Sequence, residues 1–202
     1  MDSRVWDERY AGSELVWTSE PNRFLVAEID GLSPARALDL ACGEGRNAVW
    51  LAQCGWTVTG VDFSAVGLAK AQRLAESRGV RVDWVQADLA GYRPPHHAFE
   101  LVIVFYLQVA APMRSPILTA AAEAVAPGGT FLLVAHDLSN ITEGHGGPQD
   151  PGVLYTAEDV VDDLSGSALT IERAERVQRP VATPQGERIA LDALVRAYRS
   201  GS

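Results

Sequence analysis

The sequence predicts an α/β fold: a doubly wound sheet of seven strands, mostly parallel, with a C-terminal antiparallel hairpin. Three observations predict it. Short apolar runs of strand character alternate with helix-period segments between Arg36 and Ala135, the pattern of right-handed βαβ units. Phe99–Tyr106 is almost wholly apolar, as a central strand covered on both faces would be. The stretch Ala37-Leu38-Asp39-Leu40-Ala41-Cys42-Gly43-Glu44-Gly45-Arg46-Asn47-Ala48 reads as strand, glycine turn and helix start. Gly43 and Gly45 let the backbone turn tightly and approach a ligand. The helix behind them directs unpaired N–H groups at the crevice, which favours a phosphate or a carboxylate.

The elements follow in order. Residues 3–17 carry Trp6, Tyr10 and Trp17. They read either as a helix docked by its aromatics or as a flap that closes over a small-molecule site. Thr18 or Ser19 suits the cap of a helix beginning at Glu20-Pro21 and ending at Gly31. Arg36–Leu40 is the first strand, and Arg46–Gln53 has helical spacing, with Ala48, Leu51 and Ala52 on one side. Trp56–Asp62 is a second strand ending in a carboxylate; Ser64 caps a helix over Ala65–Ser77, and Gly79 ends it. Val80–Gln86 is the third strand and Phe99–Tyr106 the fourth. Pro116–Val125 is helical, Pro127-Gly128-Gly129 is a turn, and Thr130–Ala135 is the fifth strand, with His136-Asp137 at its end. Leu138–Leu154 is rich in Gly, Pro, Asn and Asp, and a loop of that length is usually a lid or binding loop. Thr156 with Asp159 forms a capping box for a short helix to Leu164. Leu169–Gln178 and Ile189–Arg199 read best as the last two strands, although the second also fits a helix. No repeat or linker divides the 202 residues. They read as one domain, with an N-terminal flap and helix (1–30) and a lid (137–155).

Composition narrows the function. Apolar residues make up 47% and charged residues 21% of the chain, ordinary for a globular protein. Net charge is −9, from 17 basic and 26 acidic residues, with no basic cluster. That weighs against a nucleic-acid or anionic-membrane partner. Cys42 and Cys54 read as free thiols in a reducing compartment, and without a neighbouring His pair they make no zinc site. No apolar run reaches membrane-spanning length and no signal segment is present, so a cytoplasmic location is expected.

Ligands of doubly wound sheets bind beyond the carboxyl ends of the strands, where this reading puts Asp39, Asp62, Asp88, Phe105, Tyr106 and His136. Gly43-Glu44-Gly45-Arg46-Asn47-Ala48 formally matches the loose dinucleotide pattern, with Asp62 as a ribose carboxylate. Yet Asp39 and Glu44 beside the turn would repel a pyrophosphate. They suit a ligand carrying a positive amine or sulfonium.

At these residues the chain resembles the class I S-adenosylmethionine-dependent methyltransferases. Asp39–Asn47 resembles their first motif, Val61-Asp62-Phe63-Ser64 the second and Ala87-Asp88-Leu89 the third. Phe99-Glu100-Leu101-Val102 resembles the fourth strand, and Ala126-Pro127-Gly128-Gly129-Thr130 the turn before the fifth. Trp6-Asp7-Glu8-Arg9-Tyr10 and Glu20–Leu25 resemble the small-molecule branch near tellurite-resistance and thiopurine methyltransferases. The resemblance implies a Rossmann-like fold and S-adenosylmethionine as cofactor, leaving as S-adenosylhomocysteine. It implies that Asp39 faces the methionine amine, that Gly43 and Gly45 give backbone access, and that the helix start at Arg46-Asn47 favours the carboxylate. Asp62 would accept the ribose hydroxyls, Phe63 and Leu89 would pack on the adenine, and Asp88 would receive its amino group. Tyr10 and Phe105 complete the expected cofactor contacts. Ala41 stands where the family's first glycine is common, and Asn47 where the third often is; Ala41 is tolerable if its φ stays negative.

Methyl transfer from a sulfonium is an in-line displacement in which the protein supplies orientation. A base is needed only if the nucleophile must lose a proton. His136, after the fifth strand, is the candidate base, with an orienting role as the alternative. His145 is a weaker candidate, and His96 and His97 read as surface residues. Trp17, Tyr106, His136 and the loop around Ile141–Tyr155 are expected to line a pocket for a small-molecule acceptor. Phe105-Tyr106-Leu107-Gln108 replaces the DPPY-like motif of amide-type DNA base methylation. A nicotinamide-dependent oxidoreductase and a non-catalytic S-adenosylmethionine-binding regulator are the competing readings. The sequence names neither the acceptor atom nor an oligomeric state. A hydrogen bond to a charged acceptor contributes about 1.5–3 kcal/mol, so Asp62→Ala is expected to weaken S-adenosylmethionine binding roughly tenfold or more by calorimetry.

Overall fold

A computed structural model of the chain describes residues 3–201. The sheet grows in both directions from β1 (Arg36–Leu40). On one side β1 pairs in parallel with β2 (Thr57–Asp62), and β2 with β3 (Asp83–Gln86). On the other it pairs in parallel with β4 (Phe99–Phe105), and β4 with β5 (Val125–His136). The edge is finished by β6 (Leu169–Thr183) and β7 (Gly186–Arg199); β7 runs antiparallel to both β5 and β6. The resulting order is β3-β2-β1-β4-β5-β7-β6, with β4 at the centre as its apolar sequence requires.

Side chains on the inner strands alternate between two cores with the strand period of two. Leu38, Val102, Val104, Phe131 and Leu133 belong to one. Leu101, Ile103, Phe105, Leu132 and Val134 belong to the other. The first core is closed by α5 (Ala111–Ala124) and α7 (Ala157–Leu164), and the second by α2 (Arg23–Glu28) and α3 (Arg46–Gln53). Arg114 donates to Asp163 at 2.6 Å and lies 4.4 Å from the Tyr155 ring centroid, tying α5 to α7. α1 (Ser3–Tyr10) packs on α4 (Ala65–Ser77), and α6 (Asn140–Glu143) and a 3-10 turn at Pro151–Val153 interrupt the long loop.

Several boundaries move, each for a local reason. The cap of α2 is Asn22, whose side chain accepts from Phe24 N, rather than Thr18 or Ser19. β3 starts at Asp83 rather than Val80, because its ladder with β2 begins at Thr59↔Asp83. α5 starts at Ala111, with Pro112 in its first turn, where a missing N–H costs nothing. Pro127-Gly128-Gly129 lies within the span of β5, beside a register shift in its pairing with β4. β7 is a strand, and the hairpin runs on past the expected ends to a tight turn at Pro184-Gln185. The Thr156–Asp159 capping box is present as expected.

The turn after β1 departs most from expectation. Ala41 takes φ 59°, so the negative φ expected of it is overturned; Gly43 and Gly45 take 54° and 79°. Ala41 is held there by its neighbours: Cys42 N donates to Val61 O and Gly45 N to Cys42 O, at 3.1 and 2.9 Å. Gly45 is required for packing as well as for its φ. A Cβ there would stand 2.7 Å from both Ala71 Cβ and the Trp84 ring. Left-handed backbone costs an L-residue about 1–2 kcal/mol. Ala41→Gly is therefore expected to raise the melting temperature of the free protein by ~2–4 °C, about 1 kcal/mol. Gly45→Ala should lower it by at least twice as much, through strain and overlap together.

Candidate active site

A cavity of about 750 Å³ opens at the carboxyl ends of β1, β2, β4 and β5. Asp39, near the end of β1, is almost wholly buried at its wall, and no hydrogen bond of good geometry reaches either oxygen. Burial pushes its carboxyl up to about 8, reinforced by Asp62; the nearby Ala48 amide and Arg46 oppose the shift only in part. Asp62 ends β2 and is differently placed. Its Oδ2 accepts from Gly43 N at 2.8 Å and its Oδ1 from Ser64 N at 2.9 Å. Burial raises its carboxyl too, opposed by those two amides. Asp88 is exposed and its Oδ1 accepts from Ala90 N at 2.9 Å, yet it lines the same cavity with Phe63 and Leu89.

Residues of the glycine turn divide between ligand wall and scaffold. Arg46 lines the cavity, its guanidinium lowered by burial, with Arg179, Asp39 and Glu44 as its charged neighbours. Asn47 also reaches the wall, but its Oδ1 accepts from Asn22 N at 2.9 Å and so joins α3 to the cap of α2. Glu44 is not directed at a ligand amine, contrary to expectation. It is buried against Lys70 at 3.0 Å and accepts from Val16 N and Trp17 N. Lys70 also donates to Glu14 O at 2.6 Å. The N-terminal segment is thereby fastened over the turn. Removing one partner of a pair this buried costs about 3–5 kcal/mol. The Tyr10 hydroxyl lies over Gly43, where a Cβ would be 2.8 Å away. Burial first, and then Asp62, raise the Tyr10 phenol far above its usual range. The Arg9 guanidinium lies 5.0 Å from both the Trp6 and Trp17 rings, and Trp17 forms part of the cavity mouth at 40% exposure. Both structural and covering roles thus fall to the same segment.

At the other end of the cavity a polar cluster stands against an apolar wall. Phe105 is buried at the end of β4, and Tyr106 follows with φ 54°. That is a true outlier for a bulky residue. The Tyr106 hydroxyl donates to Asp192 Oδ2 at 2.9 Å and accepts from Asn22 Nδ2 at 3.2 Å. Burial, then Asp192, push its phenol far above the ordinary range. His136 lies with its ring centroid 4.7 Å from that of Tyr106, and its Nδ1 is 3.3 Å from Asp192 Oδ1, off the line of a well-formed hydrogen bond. Arg179 Nε donates to Asp192 Oδ2 at 2.6 Å. Burial works against ionisation of Asp192, yet His136 and Arg179 hold its carboxyl below the ordinary range.

The sequence reading missed Asp192, Arg179 and Asn22. A lone acid in the otherwise apolar run Ile189–Val195 was the available signal for the first. The loop residues that reach the cavity are His145, Gly146, Gly147 and Pro148 rather than the whole of Ile141–Tyr155. Tyr155 is buried beneath, with its hydroxyl donating to Leu107 O at 2.9 Å. The apolar wall comes instead from Leu107, Val109, Met113, Ile117 and Val181. His96 and His97 are exposed beside Glu123, away from the site. Cys42 and Cys54 are free thiols, and no group of metal-binding side chains occurs among the described residues.

Residues 37–129 match the pattern of the methyltransferase domain family. Over 107 residues the chain is 31% identical to the ubiquinone biosynthesis O-methyltransferase of Citrobacter koseri and 30% identical to that of Escherichia coli. The match covers 52% of this chain, and the chain spans less than half the length of these relatives, 44% and 45%. Among solved structures, the fold is shared with a protein studied for conversion of a disulfide bond into a thioacetal group during echinomycin biosynthesis. The two superpose with a TM-score of 0.76 at 24% identity, over 98% of this chain and 92% of that one. TehB from Haemophilus influenzae superposes with a TM-score of 0.72 at 16% identity, over 98% and 67% of the two chains. Magnesium protoporphyrin IX methyltransferase from Synechocystis PCC 6803, solved with S-adenosylmethionine bound, gives 0.62 at 19% identity, over 98% and 79%. A methyltransferase domain over residues 37–129, carried on this sheet order with the glycine turn between β1 and α3, makes the chain similar to the class I S-adenosylmethionine-dependent methyltransferases.

Proposed function

We propose that this protein transfers a methyl group from S-adenosylmethionine to a small-molecule acceptor held in the same cavity. The observation that carries the reading is Asp39, a buried carboxylate without a hydrogen-bonding partner at the wall beside the glycine turn. An uncompensated acid in that position is costly, and a ligand ammonium is the group that would compensate it. The rest of the wall fits the same cofactor. The start of α3 and Arg46 favour a carboxylate. Asp62, already accepting from the Gly43 and Ser64 amides, retains lone pairs for ribose hydroxyls. Phe63 and Leu89 offer apolar surface to the adenine and Asp88 an acceptor to its amino group, while Tyr10 and Phe105 would close the cofactor end. When bound, S-adenosylmethionine supplies an electrophilic methyl group on a sulfonium. The chain's own contribution is to exclude water and to orient the acceptor among Trp17, Tyr106 and His136. Such orientation is worth up to ~7–11 kcal/mol in ideal cases.

No helix among the described residues is long and apolar enough to cross a membrane. Calorimetry with S-adenosylmethionine is expected to give one tight site, and with NADH none. Tight binding of NADH alone would restore the oxidoreductase reading. A bound cofactor with no S-adenosylhomocysteine from any acceptor would favour a regulatory module.

The elevated Asp39 carboxyl gives two further tests. Its folded value of about 8 lies above the unfolded value of about 3.9. Its contribution to stability is therefore full below pH ~4 and is lost as pH rises through ~8. Asp39→Asn should raise the melting temperature of the free protein at pH 8 by about 2–4 °C, while weakening S-adenosylmethionine binding at least tenfold. Because the cation prefers the ionised acid, wild-type affinity should climb from pH 6 to 8. Calorimetry in buffers of different ionisation enthalpy should show proton release on binding, and Asp39→Asn should abolish that release.

A further inference from the structure

We propose, on the basis of the methyl-transfer reading, that Asp192 and Tyr106 position His136 as the base that deprotonates a phenol-like hydroxyl acceptor. The fold builds this arrangement from two strands. His136 and Asp192 are directly opposed across the β5–β7 ladder, so the backbone itself brings Asp192 Oδ1 to 3.3 Å from His136 Nδ1. Asp192 is completely buried, and donors from Tyr106 and Arg179 orient its carboxylate. The left-handed φ of Tyr106 is a strain of the kind that persists where the surroundings dictate it. Here it lets one side chain reach Asp192 and stand against the His136 ring. Gly147 lies close to that ring, where a Cβ would come within 3.0 Å of Cε1 and Nδ1, and so restricts its movement.

A histidine whose Nδ1 faces a carboxylate carries its proton there and leaves the Nε2 lone pair available. His136 lines the cavity, and its Nε2 makes no hydrogen bond among the described residues. The charged and titratable groups around it are Asp192 from β7, Arg179 from β6 and Tyr106 beyond β4. Arg46 of α3 and His145 of the loop lie on the same cavity wall. Arg179 offsets the charge of Asp192 through its hydrogen bond to Oδ2. A base serves an acceptor that must lose a proton: a hydroxyl titrating near ~10 rather than a thiol that is already ionised. Leu107, Val109, Met113 and Val181, with Tyr106 and Trp17, provide an apolar, partly aromatic wall for a flat body. In the step, the hydroxyl gives its proton to Nε2 and an oxygen electron pair to the methyl carbon. The electrons of the sulfur–methyl bond stay on sulfur, and the imidazolium returns its proton to water. The Nδ1–Asp192 contact, long in the free protein, is of the type that tightens with substrate in place.

The test uses the full chain in two measurements. The first is the 15N spectrum of His136 in the free protein, assigned by loss of its signals in His136→Gln. An Nδ1–H tautomer is expected, becoming a mixture in Asp192→Asn; an Nε2–H tautomer in wild type overturns the proposal. The second is S-adenosylhomocysteine formation from matched phenols, catechols, thiophenols and anilines. Phenols or catechols should be methylated. His136→Gln should lower kcat for them at least a hundredfold and Asp192→Asn at least tenfold. S-adenosylmethionine affinity should stay within threefold in both. Any turnover of thiophenols should fall in His136→Gln by at least tenfold less than that of phenols. Methylation of thiophenols or anilines alone, or undiminished kcat in His136→Gln, overturns the base assignment and leaves methyl transfer standing. Failure of wild type to bind S-adenosylmethionine overturns both. If no member of the panel is methylated although the cofactor binds, the tautomer decides.

Discussion

The site depends on one constraint: the left-handed turn between β1 and α3 and the carboxylate that holds it. Ala41, Gly43 and Gly45 all have positive φ within five residues. A turn of that shape leaves amides unpaired, and Asp62 at the end of the neighbouring strand takes that of Gly43, together with the Ser64 amide at the cap of α4. A single side chain therefore ties the β1 turn to the cap of α4. The same turn aims the start of α3 into the cavity and leaves Asp39 beneath it. Gly45 adds a packing demand, since any side chain there would drive α3 away from Ala71 and Trp84. The geometry that would receive a cofactor is thus also the geometry that lets two helices and two strands meet.

Charge is distributed unevenly in that cavity. Asp39 is left without a partner, whereas Glu44, two residues beyond Cys42, is fully used by Lys70 and the backbone of residues 16 and 17. Burying Glu44 with a cation and two amides avoids the cost that an isolated acid would carry. It also gives the N-terminal segment a fixed seat over the turn. At the opposite end, Asp192 is surrounded by Tyr106, His136 and Arg179, so its burial is compensated from three sides. At one end Asp39 has no hydrogen-bonding partner although Arg46 is near, and at the other Asp192 is internally balanced.

Much of the fold was legible from local pattern. The apolar run Phe99–Tyr106 announced a central strand, Ser64 marked the start of α4 and Thr156 with Asp159 that of α7. Where the reading erred, a longer-range partner decided. Thr18 and Ser19 have the chemistry of a cap, but Asn22 is the residue whose backbone meets Asn47 and whose side chain meets Tyr106. Ala41 should avoid positive φ by its own preference, and the ladder and turn around it impose the opposite. Glu44 looked like a ligand contact because its partner, Lys70, is 26 residues away in the chain.

By itself the sequence determined the order of strands and helices, the glycine turn, and the acids that follow β1, β2 and β3. These depend on period, turn chemistry and strand ends, all of which are local. Tertiary structure alone decided which acids stay unpaired, how the N-terminal segment is fastened, and that His136 meets Asp192 across the β5–β7 ladder. Those depend on pairing between residues 26 to 86 positions apart, which no local preference encodes. A buried charge is settled only when its neighbours are known, because the same carboxylate is a liability alone and a fixed part of the scaffold when paired.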